Sequence, residues 1–132
     1  MLDASIAIAL VVEERGSLAA VAALRGHEPL VPEAFWVEVT NGLARKVRRR
    51  EILLDDALDA YRALCRLVEY SVDTRPLGAF ALTLALDLDH PVYDCLYLAA
   101  AIAHRAPLLT ADRTLHACAV AAGYGEHIVL VA

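Results

Sequence analysis

Short apolar runs without polar alternation recur along the chain, separated by longer apolar-rich runs, and this alternation limits the folds open to it more than any other feature. The short runs read as strands: Met1–Asp3, Pro29–Pro32, Val68–Asp73, Pro107–Thr110 and His127–Val131. The longer ones read as helices over Ser5–Glu13, Ser17–Gly26, Glu33–Arg50, Asp55–Leu67, Pro76–Asp87, Val92–Arg105 and Arg113–Ala122. Strands alternating with helices predict an α/β fold with a mostly parallel sheet. Strands that lack polar alternation are expected to be covered on both faces. Helix punctuation agrees: Asp55-Asp56 and Pro91 mark starts, and Gly123 and Gly125 mark the last stop.

With 132 residues, 59% of them hydrophobic, the chain suits a single domain spanning 1–132. No uncharged stretch approaches the roughly 18–20 residues of a membrane span. The N-terminal apolar run carries Asp3 and no basic lead, which makes it a poor signal peptide, so a cytoplasmic location is expected. Cys65, Cys95 and Cys118 are odd in number and widely spaced, suggesting neither disulfides nor a zinc site. Each lies in an apolar helical context and reads as a small buried hydrophobe. The net charge of −5 excludes binding to nucleic acid by overall charge, leaving a local basic patch or a bound cation.

In a parallel α/β sheet, ligands gather outside the carboxyl ends of the strands. Asp3 closes the first strand and Asp112 follows PLLT by one residue, so both fall on that edge. Glu38 lies in the first turns of the helix after PLVP, within reach of the same edge. Asp94 opens a helix that feeds a strand, so it reaches that edge only if residues 88–91 loop upward. Taken singly, Asp112 reads as a helix cap, Asp94 as a helix-dipole acid, Asp3 as a turn residue and Glu38 as a solvated charge. Gathered together, four carboxylates need raised pKa values or a neutralising cation. Oxygen-only ligands select hard ions such as Mg²⁺ or Mn²⁺, which support phosphodiester hydrolysis. Ser5, Asn41 and Thr110 are spaced to hydrogen-bond these carboxylates.

The segments LDAS (Leu2–Ser5), EVTNGL (Glu38–Leu43), HPVYDCLYLAAA (His90–Ala101) and LLTADRTL (Leu108–Leu115) together resemble the PIN domain, specifically toxins of the VapC type. The resemblance spans essentially the whole chain, with the YDCLY and LLTAD segments the most specific. It implies a three-layer α/β/α fold with a central, mostly parallel sheet of four to five strands, and a metal-dependent endoribonuclease. It carries the metal-site and catalytic acids onto Asp3, Glu38, Asp94 and Asp112, with Ser5, Asn41 and Thr110 in support. It also implies an RNA substrate, Mg²⁺ (or Mn²⁺) as cofactor, a homodimer, and a cognate antitoxin that blocks the acidic pocket. One departure stands out: family chains carry more apolar residues before the first aspartate, so either a short first strand or a true start lying upstream is expected.

The run Arg45-Lys46-Val47-Arg48-Arg49-Arg50 holds five of the 12 basic residues. Arg45 is two turns from Glu38 and is a candidate RNA contact; Arg49 and Arg50 lie about 15–18 Å along the helix and read as solvated. Arg113, next to Asp112, is a second candidate contact. His90 reads as a turn residue, and Tyr93 with Tyr97 as a core or dimer-packing face. Trp36 and Phe35 read as core or as the lining of a groove for the antitoxin.

Two other acid-edged folds fail. A receiver domain needs a lysine after a late strand, and the only lysine is Lys46, in the basic helix. A haloacid-dehalogenase-type phosphatase wants a second aspartate two residues after the first, where Ser5 stands. The remaining alternative is a catalytically silent PIN-like module that binds RNA or protein.

Overall fold

The computed structural model describes residues 1–131. Its helices are α1 (Ala4–Val11), α2 (Ser17–Leu24), α3 (Phe35–Arg48), α4 (Leu54–Leu67), α5 (Gly78–Leu88), α6 (Val92–Ala103) and α7 (Arg113–Ala121). Its strands are β1 (Leu30–Pro32), β2 (Tyr70–Val72), β3 (Leu108–Thr110) and β4 (Ile128–Leu130). Each expected helix is present to within a few residues of its predicted ends.

The strands form two parallel pairs, β1 with β2 and β3 with β4. A single sheet of four to five strands was expected; the structure has two two-stranded sheets, with the segment 1–3 between them. Leu2 N–H donates to Leu30 O at 2.9 Å, and Asp3 N–H donates to Leu109 O at 3.2 Å. That segment forms one parallel bridge, Leu2 to Leu109, rather than a full strand. Covering is uneven as well. In β2, Tyr70 and Ser71 are exposed because β2 packs chiefly on β1 and no helix lies closely over it, so the expectation of two covered faces fails there.

Burial explains the helices. Cys95 to Ala101 in α6 are all buried, and a helix apolar all round belongs in a core. In α3 the buried residues are Phe35, Val39, Gly42 and Leu43, one stripe at helical spacing. A Cβ at Gly42 would lie 2.5 Å from Ile8 Cδ1, so glycine lets α1 and α3 approach closely beside the acidic residues. Helix ends are equally specific. α7 ends as its glycine predicted: Gly123 has φ 92°, and Tyr124 N–H donates to Ala119 O. α6 ends with the same bond pattern around Arg105 at φ 52°, a conformation costly for a residue with a Cβ.

The cysteines divide. Cys95 is buried, Cys118 half-buried and Cys65 exposed. The expectation of burial is wrong for Cys65 because α4 buries only the stripe Ala57, Ala60 and Leu64, and Cys65 lies outside it.

Candidate active site

Four helix beginnings converge on one open cavity of about 540 Å³. Its wall includes Asp3, Ser5, Glu38, Asn41, Arg45, Tyr93, Asp94 and Asp112. Asp3 is the N-cap of α1 and Asp112 the N-cap of α7; Glu38 and Asp94 stand in the first turns of α3 and α6. Each acid therefore sits where its helix dipole is positive, which offsets part of the repulsion among them.

Local chemistry fixes each carboxylate. Asp3 Oδ1 accepts from Ser5 N–H at 2.7 Å and from the Ser5 hydroxyl at 3.0 Å. Its Oδ2 accepts a short bond from Thr110 Oγ1. Thr110 is fully buried, and the same oxygen accepts from Asp112 N–H at 3.0 Å, so one hydroxyl ties the first and last acids together. Asp112 Oδ1 accepts from Thr114 and Leu115 N–H at 2.8 and 3.0 Å. The capping role read for Asp112 is thus real, and it coexists with a place on the cavity wall.

Glu38 Oε2 accepts from the Tyr97 hydroxyl at 3.2 Å, while Oε1 is buried without a partner among the described residues. Burial, with repulsion from Asp3 and Asp94 added, pushes Glu38 up to about 7 against the opposing Tyr97 hydrogen bond. Asp94 is also raised, by burial first; its bond to His90 opposes this, and Asp112 and Asp3 add to it.

Two contributors were read differently from the sequence. His90, expected to be only a turn residue, places Nε2 2.9 Å from Asp94 Oδ2. With Asp94 and Asp112 it offers three ligand atoms, all within 4.8 Å of one another. Their spacing, His-x-x-x-Asp, was the available signal. Tyr97 is core, at 2% exposure, but its hydroxyl also serves Glu38, and nothing local announces a contact across 59 residues. Tyr93 is exposed on the cavity wall and so is not core. Phe35 is buried, and Trp36 packs edge-on between it and Tyr61.

The basic run splits. Arg45 reaches the cavity wall. Lys46 is held by Glu14 at 2.6 Å and Glu51 at 3.3 Å. Arg49 and Arg50 are exposed, and Arg113 is exposed at the start of α7 and is not among the residues lining the cavity.

A family model described as PIN domain matches residues 1–121, and the chain belongs to that family. PIN domains are generally nucleases and typically use a divalent metal. No curated protein matches the chain. Among the described residues, no helix is long and apolar enough to cross a membrane.

Proposed function

We propose that this PIN domain is a divalent-metal-dependent endoribonuclease and the toxin of a VapBC-type toxin–antitoxin pair, working in the cytoplasm. The observation that carries the reading is the meeting of Asp3, Glu38, Asp94 and Asp112, from four separate segments, on one open cavity. The donor set fits a divalent ion: four carboxylates, one of which keeps a buried, partnerless oxygen at Glu38 Oε1. In this reading the segment 1–3 is the middle strand of one five-stranded sheet, supported by its bonds to Leu30 and Leu109.

Asp3, Glu38, Asp94 and Asp112 would hold Mg²⁺ or Mn²⁺. When bound, such an ion lowers the pKa of water and offsets charge building on a phosphate. The chain does the positioning. Ser5 and Thr110 lock Asp3, the α7 cap locks Asp112, and Tyr97 steadies Glu38. Asn41 and Arg45 stand on the wall, where an RNA backbone enters, and Arg45 supplies a guanidinium for a phosphate oxygen. Water adds to phosphorus and the 3′-oxygen leaves, giving 5′-phosphate and 3′-hydroxyl ends. The 2′-hydroxyl takes no part.

A homodimer and an antitoxin need surface. An apolar groove of about 550 Å³ between α3 and α4, lined by Leu43, Val47, Leu54, Leu58 and Tyr61 among others, supports such a contact. The test of the activity is cleavage of an RNA panel by the purified protein with Mg²⁺ or Mn²⁺, beside Asp94→Asn. Cleavage by wild type alone supports the proposal. Equal cleavage by both exposes a contaminant, and no cleavage of any RNA favours a silent binding module.

A further inference from the structure

We propose that His90 supplies an imidazole nitrogen to the ion held by Asp94 and Asp112, and that this ligand turns the site from Mg²⁺ toward first-row transition ions. The inference rests on the reading of the cavity as a metal centre and adds a ligand to the four carboxylates.

The ring is held in place before any ion arrives. Asp89 takes a left-handed turn at φ 49° to end α5, and His90 N–H donates to Ala85 O at 3.1 Å. Pro91 then fixes the entry to α6 at φ −55°. The His90 side chain is only 9% exposed, and its Nε2 faces the cluster rather than solvent. A side chain gripped this way loses little freedom on taking a ligand.

The spacing fits shared coordination. An octahedral ion with bonds of about 2.1 Å holds neighbouring donors about 3.0 Å apart and opposite donors about 4.2 Å apart. His90 Nε2 and Asp94 Oδ2, 2.9 Å apart, match neighbouring positions on such an ion, and a carboxylate oxygen of Asp112 belongs to a set of donors all within 4.8 Å of one another, near enough for a small side-chain adjustment to bring it to the same ion. His90 Nε2 and Asp94 Oδ2 share a hydrogen bond, so the ring nitrogen already faces the carboxylate it would join on an ion. Mg²⁺ favours oxygen donors and its own waters, whereas transition ions accept imidazole readily. A site with only carboxylates would lack that bias.

Mn²⁺ is the probe because its unpaired electrons report on bound nitrogen. Pulsed electron paramagnetic resonance of the Mn²⁺-loaded wild-type protein should show ¹⁴N modulation, converting to the ¹⁵N pattern after labelling with ¹⁵N-histidine. Among the described residues His90 is the one imidazole in the cluster. This arm needs no variant, so a folding defect cannot obscure it. In His90→Gln the nitrogen signal should vanish and the preference for Mn²⁺ over Mg²⁺ should fall about tenfold. Mn²⁺ binding without nitrogen modulation in wild type overturns the role of His90 and leaves the carboxylate centre standing. Failure of wild type to bind Mn²⁺ overturns both.

Discussion

Replacing Tyr97 with phenylalanine removes one hydroxyl and almost no volume, and so isolates the control of Glu38. That hydroxyl is the donor to Glu38 Oε2, and the other oxygen is already partnerless. A hydrogen bond to a charged group contributes about 1.5 kcal/mol, equivalent to about one pH unit. Glu38 should therefore move from about 7 to roughly 8. At pH 7 its ionised fraction falls from about a half to about a tenth, so affinity for Mg²⁺ or Mn²⁺ drops about fivefold. At pH 6 the loss is about tenfold, and at pH 9 it is within about 10% of nothing, because both proteins are then ionised. Calorimetric titration with the ion at the three pH values reads this directly. A loss of equal size at every pH would mean that the hydroxyl acts through packing, and no loss at pH 6 would mean that Glu38 is not a ligand; either result refutes the reasoning.

Glu38 also makes a stability prediction with a definite sign. Between its ordinary value of 4.5 and its folded value of about 7, the folded chain holds a proton that the unfolded chain has released. Stability of the metal-free protein is therefore lost as pH rises through this window. The full gap corresponds to about 3 kcal/mol, and solvent screening of this half-buried group reduces it to about 1–2 kcal/mol. Glu38→Gln should raise the metal-free melting temperature at pH 8 and leave it nearly unchanged at pH 4, as scanning calorimetry can check. Arg105→Gly should stabilise the fold by about 1 kcal/mol in urea unfolding, because only the side chain opposes the left-handed turn after α6. Arg45→Ala should weaken RNA binding and reduce the salt slope by about 0.7 without changing melting. Lys46→Ala should do the reverse, costing about 1 kcal/mol of stability through its lost pair with Glu14 and leaving RNA affinity unchanged.

The legible parts of this molecule are those written locally. Asp3 and Asp112 each follow a short apolar run and each cap the next helix, so one pattern places both acids, although the run before Asp3 forms a single bridge rather than a strand. Thr110 was visible at two residues from Asp112. Glu38 followed from the helix after β1. Asp94 was harder, because no strand precedes α6 and only the family resemblance brought it to the shared edge. Tyr97 and Glu38 meet only through the tertiary fold, and periodicity reports that a tyrosine is buried, not where its hydroxyl ends. Exposure of Cys65 and Tyr70 was missed because apolar composition does not say which side of an element lacks a neighbour. The strands are three residues each, too short for their sequence pattern to say which strand pairs with which.

Manganese soaked into crystals of the metal-free protein, followed by anomalous diffraction at the manganese edge, asks the central question most directly. The account predicts a peak in the cavity within about 2.3 Å of carboxylate oxygens drawn from Asp3, Glu38, Asp94 and Asp112, absent from crystals of Asp94→Asn. A peak elsewhere on the surface, or no peak at saturating manganese, would contradict it.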